Sequence, residues 1–79
     1  MNANVININP NILGGTPVFR GTRVPIDTLF GYLEEGLSID YFLDDFPSVN
    51  REQAIEVLLI ASRMLHSEKL MEQLDETFA

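Results

Sequence analysis

Seventy-nine residues with no cysteine and one histidine exclude a second domain, a disulfide framework and a cysteine–histidine metal site. The net charge of −7 excludes a generally basic, nucleic-acid-coating surface, and no run approaches the ~20 apolar residues that span a bilayer. A core this small needs outside support, so a homodimer or a tight hetero-complex is expected. Met1 to Asn9 has neither a basic lead nor a long apolar run, so no signal peptide is expected and the reading is cytoplasmic.

One domain is expected in three parts: an N-terminal arm and β-ribbon over residues 1–24, a three-helix core over 25–64 and a helical tail over 65–79. In the first part, Val5-Ile6-Asn7-Ile8 reads as a short strand or as an arm that pairs with something else. Beyond the Pro10-Asn11 turn signal, Gly14-Gly15 punctuates the chain and Pro17 opens a short extended run, Val18-Phe19. Gly21 permits a positive-φ turn, and Thr22-Arg23-Val24 runs extended again. A tight β-hairpin or ribbon centred on Arg20-Gly21 follows. With so few strands it must pack on helices or pair with a second copy.

From Val24 the apolar period becomes helical. Ile26, Leu29, Phe30 and Leu33 share one face of a helix over about Pro25–Glu35, with Pro25 suited to its first turn and Gly36 to its C′ position. Ser38 is the N-cap of a second helix whose apolar set is Ile39, Phe42, Leu43 and Phe46, and Pro47 stops it. Asn50 caps a third, with Gln53 three residues on in a capping-box pattern. Its core face is Ala54, Val57, Leu58, Ala61 and Leu65; Ile55 and Leu59 widen the stripe beyond what one contact needs. No Gly or Pro interrupts this helix before about Thr77. The architecture is mainly α: a compact three-helix bundle with links of helix-turn-helix-like length, preceded by the ribbon and followed by a helical extension.

The string Gly14-Gly15-Thr16-Pro17-Val18-Phe19-Arg20-Gly21-Thr22-Arg23-Val24-Pro25 resembles the signature of the domain-of-unknown-function family 433. Leu29, Leu33, Gly36, Leu37, Ser38, Leu43, Phe46 and Pro47 continue it at the family's spacing, so the likeness covers roughly Pro10 to Met64. The resemblance implies a homeodomain-like or winged helix-turn-helix module and an antitoxin role, with partners resembling PIN-type ribonuclease toxins. The tail from Leu65 onward inherits nothing from it.

Charge divides the chain. Residues 1–24 carry Arg20 and Arg23 and no acid, for +2; residues 25–64 sum to −6 and residues 65–79 to −3. Any DNA contact must therefore use the N-terminal segment. Arg20, Thr22 and Arg23 could meet phosphates or a partner's carboxylates; equally, they could hydrogen-bond the local backbone and helix ends. Arg51 and Gln53, at the start of the third helix, have side chains that read guanine and adenine edges. Against that, Glu52 and Glu56 lie beside them, and Gln53 is fully explained as a cap. In the tail, Leu70, Met71, Leu74 and Phe78 stand among four acids, as a partner-binding segment or as a helix folded back on the core.

Nothing supports catalysis. Glu34-Glu35 and Asp44-Asp45 are adjacent pairs that diverge on a helix, and no serine or threonine has a base beside it. No cofactor, metal or small-molecule substrate is expected. The leading expectation is the antitoxin of a type II toxin–antitoxin pair, neutralising a PIN-like ribonuclease toxin and repressing its own operon. The alternatives are a stand-alone helix-turn-helix DNA-binding regulator and a protein–protein adaptor without a toxin.

Overall fold

Phe42 is the residue around which the chain closes. In a computed structural model, which describes residues 3–67, its side chain is fully buried and its ring stands 5.1 Å from Phe46, 5.5 Å from Tyr32 and 5.9 Å from Phe19. These four rings join three elements separated in sequence, and each tilted or edge-on pair contributes about 0.5–1.5 kcal/mol beyond area burial. Val5, Leu29, Val49, Ala54 and Val57 complete the buried cluster.

The elements are β1 (Ile6–Asn7), β2 (Val18–Phe19), α1 (Ile26–Glu34), α2 (Ile39–Asp45) and α3 (Arg51–Leu65). The segment left open as a strand or an arm is a strand. It pairs antiparallel with β2, Ile6 opposite Phe19 and Asn7 opposite Val18. The expected turn at Arg20-Gly21 is also present: Thr22 N–H donates to Phe19 O at 3.0 Å, and Gly21 takes φ 82°, the left-handed value that a type II turn demands of its third residue. Past the turn, Phe19 N–H donates to Val24 O and Val18 bridges Pro25. Thus β2 is flanked on both sides, and Val18 and Phe19 are fully buried. Before it, Leu13 takes φ 48°, uncommon for a residue with a Cβ, and its carbonyl is held by the Thr16 hydroxyl at 2.9 Å.

Each helix begins and ends where its local chemistry directs. Pro25 is the N-cap of α1, one residue earlier than a first-turn position, and Pro17 O accepts the Ile26 N–H at 3.0 Å, so the ribbon satisfies an amide that the helix cannot. Gly36 at φ 82° closes α1: its N–H reaches Leu33 O, and Leu37 N–H reaches Tyr32 O, the paired bonds of a Schellman motif. Ser38 Oγ accepts from Tyr41 N–H at 3.1 Å to start α2, and Phe46, pressed by Pro47, leaves helical geometry at its end. Asn50 and Gln53 form both halves of the capping box on α3.

Three features depart from the expected pattern. Leu65, placed on the core face by periodicity, is 54% exposed, because the last turn of α3 runs past the end of the packed cluster. The helix also stops there: His66 leaves helical geometry, its N–H shared between Ser62 O and Arg63 O. The anticipated continuation towards Thr77, with Leu70, Met71, Leu74 and Phe78, lies outside the described residues. Val49, in the link between α2 and α3, was not anticipated as core yet is buried to 3% exposure.

Candidate functional site

The polar residues of the ribbon turn converge on the first turn of α3. Arg20 sits at the second position of the Phe19–Thr22 turn, so its side chain is thrown back across β1. Its guanidinium donates to Asn4 O and, at 3.0 Å, to Ile6 O, while its own amide donates to Val5 O at 2.8 Å. Three consecutive carbonyls of the arm are thereby tied to one residue. On the other side, Arg20 O accepts from Gln53 Nε2 at 3.0 Å. The Gln53 amide group is divided in its work: its oxygen takes the Asn50 N–H at 3.1 Å, and its nitrogen bolts α3 to the ribbon.

Between these walls lies an open cleft of about 410 Å³, with Asn4 and Arg20 on one side and Asn50, Glu52 and Glu56 on the other. Two carboxylates face one guanidinium that is already engaged. Such a cleft does not favour phosphate.

The remaining candidates are dispersed. Thr22 Oγ1 donates to Phe19 O at 2.8 Å and accepts from Val24 N–H at 3.0 Å, which uses it within the turn. Arg51 forms an exposed ion pair with Asp40 of α2, on the far side of α3 from the cleft, a contact worth little to stability but one that neutralises the cation. Arg23 is exposed and has no hydrogen bond or ion pair among the described residues. Of five candidates for DNA, then, the structure brings Arg20 and Gln53 together and engages the polar groups of Arg20, Thr22 and Gln53 with backbone. The acceptors of Arg20 are backbone carbonyls, which any residue provides, so no residue type marks them in the sequence.

Tyr32 also escaped the sequence reading. Its hydroxyl donates to Asp45 Oδ2 at 2.6 Å, linking α1 to the end of α2. Because ionisation would destroy that bond, the hydrogen bond raises the phenol above its ordinary value near 10, with partial desolvation and the Asp45 charge acting in the same direction. Among the described residues there is no cluster of three metal-ligating side chains, and no helix is long and apolar enough to cross a membrane.

With this geometry, the sequence profile of a family of proteins of unknown function, DUF433, matches residues 6–60. The chain belongs to DUF433. That span holds both strands, α1, α2 and most of α3. The uncharacterised protein y4eO of Sinorhizobium fredii is 41% identical over 49 residues, which are 62% of this chain and 22% of that one. The chain thus spans about a fifth of the length of this curated relative. A crystal structure of a DUF433 protein from Anabaena variabilis is 28% identical, covers 95% of this chain and 68% of its own, and superposes with a TM-score of 0.64. The ribbon and three-helix arrangement is therefore that of a solved DUF433 protein.

Proposed function

We propose that this DUF433 chain is a non-enzymatic protein-binding module, working as a homodimer and serving as the antitoxin that covers a ribonuclease-type toxin of PIN-like character. The observation that carries the protein-binding half is the fate of the cations. Arg20 is spent on the arm and Arg51 on Asp40, whereas the outer side and end of α3 leave Ile55, Leu59, Met64 and Leu65 between 41% and 62% exposed. An acidic surface with apolar side chains in water suits a protein partner better than a phosphate backbone. The toxin half rests on the resemblance of the Gly14–Pro25 signature. In this reading Met64 and Leu65 belong to the contact surface, and Leu70, Met71, Leu74 and Phe78, outside the described residues, are the further candidates for it.

Co-expression with the product of the adjacent gene tests the proposal. The neighbour is expected to arrest growth alone and to co-purify with this chain, and Leu70→Glu with Leu74→Glu is expected to break the complex and restore arrest. A neighbour that is harmless alone and does not co-purify rules out the antitoxin role. The exposed, unengaged Arg23 favours a second reading, operon repression by DNA binding. That reading requires a salt-sensitive gel shift on the chain's own promoter, weakened by Arg23→Ala.

A further inference from the structure

Helix α3 has a face outside the core that meets the cleft only along one edge, at Glu52. At 100° per residue, Ser62, Ile55, Leu59, Glu52 and Arg63 fall within a sector of about 100°, and every one of them is exposed. The sector is bounded on one side by the Arg51–Asp40 pair to α2 and on the other by the cleft wall at Glu56. Its apolar centre is Ile55, 41% exposed, and Leu59, 50% exposed. Towards the N-terminal end stands Glu52 and towards the C-terminal end Arg63, neither with an ion-pair partner among the described residues.

The order of these residues is self-complementary under a two-fold axis. Residue 57 is the midpoint of Ile55 and Leu59, and the midpoint of Glu52 and Arg63 falls half a residue away. An axis perpendicular to α3 at that level sets Ile55 against the partner's Leu59, and Leu59 against the partner's Ile55. The same operation brings Glu52 beside the partner's Arg63, twice, and opposes the two helix dipoles. Ser62, small and within the sector, lets the helices approach. A parallel pairing would instead stack Glu52 on Glu52 and Arg63 on Arg63. The chain's charge is −7, yet on this face the charges cancel. A second acidic copy is less repelled there than over residues 25–64 as a whole, which sum to −6.

We propose that two copies of this chain associate through this face, α3 against α3, antiparallel about an axis level with residue 57. The proposal rests on the homodimer reading above but not on the antitoxin role, and it places self-association on a face separate from Met64 and Leu65. The contact is one helix wide and 15 residues long, about 22 Å. That is the small end of specific interfaces, so dissociation on the order of micromolar is expected.

The full chain lacks cysteine, so engineered thiols report the register directly. When the E52C chain is mixed with the R63C chain under mild oxidation, a disulfide-linked dimer of the two is expected. Each variant alone is expected to stay uncross-linked, because its two copies of the thiol lie roughly 15 Å or more apart along the axis, beyond disulfide reach. In sedimentation velocity the unmodified chain is expected to dimerise with rising concentration. I55E with L59E is expected to weaken association at least tenfold, with the circular dichroism spectrum and melting temperature retained. A chain that is monomeric at every concentration overturns both this geometry and the homodimer reading. A dimer that gives no mixed cross-link, that cross-links E52C to itself, or that is indifferent to I55E and L59E overturns the geometry and leaves the homodimer reading standing.

Discussion

Replacing Arg20 by alanine separates a structural cation from a DNA-binding one. The substitution removes the guanidinium bonds to Asn4 O and Ile6 O, on which the N-terminal arm depends, while leaving the Arg20 backbone and its bond from Gln53 in place. A hydrogen bond from a charged donor contributes about 1.5–3 kcal/mol when shielded. Arg20 is exposed, and solvent screening brings the two bonds together to about 1 kcal/mol. For a domain of this length that is a fall in Tm of about 4–8 °C. Thermal and urea unfolding followed by circular dichroism measure it, and hydrogen exchange locates it, since the residue-20 amide is held by Val5 O and should lose protection as the arm loosens. Arg20→Lys should recover little, because an ammonium lacks the fork that spans two carbonyls. A variant that melts within about a degree of the unmodified chain, with the residue-20 amide equally protected, would refute the clamp. If that variant had also lost salt-sensitive DNA binding, Arg20 would return to the DNA-binding set.

Asn50→Ala removes the capping side chain from α3 and leaves Gln53 N–H without its acceptor; a loss of about 1 kcal/mol is expected in urea titration, largely restored by Asn50→Ser. Phe42→Ala empties the centre of the aromatic cluster and should cost about 3–5 kcal/mol, enough in a domain this small to lower the melting transition drastically or abolish it. Tyr32→Phe bears on pH. The Tyr32 phenol is raised above its unfolded value near 10, so the stability from its bond to Asp45 is fully present below pH 10 and is lost as pH rises through the folded value. Chemical denaturation across that range should show a late alkaline loss in the unmodified chain that Tyr32→Phe lacks. Identical alkaline profiles would mean that the Tyr32–Asp45 bond does not form in solution.

Local signals made much of the fold legible. The caps at Ser38 and at Asn50 with Gln53, the glycine stops at Gly21 and Gly36 and the helical spacing from Ile26 to Phe46 all act within a turn or two of the residues that carry them. The limits of α1 and α2 and the start of α3 could therefore be read to within a residue or so. The site was less legible. Arg20, Thr22, Arg51 and Gln53 were recognisable as polar groups at turns and helix starts, which are the positions that suit either a ligand or a neighbouring backbone.

By itself, the sequence determined the class of fold: one small helical domain with a ribbon ahead of it and an acidic body. Periodicity, caps and charge count are properties of neighbouring residues, so they need no knowledge of what lies across the core. Only the tertiary structure decided that Ile6-Asn7 is the partner of Val18-Phe19 rather than part of a free arm. Only it decided that the Gln53 side chain donates to the Arg20 carbonyl while the Arg20 guanidinium holds the carbonyls of Asn4 and Ile6. Residues that meet across 14 to 33 positions of chain are matched by shape and hydrogen-bond geometry. A backbone carbonyl that accepts from an arginine looks like any other until the chain has folded.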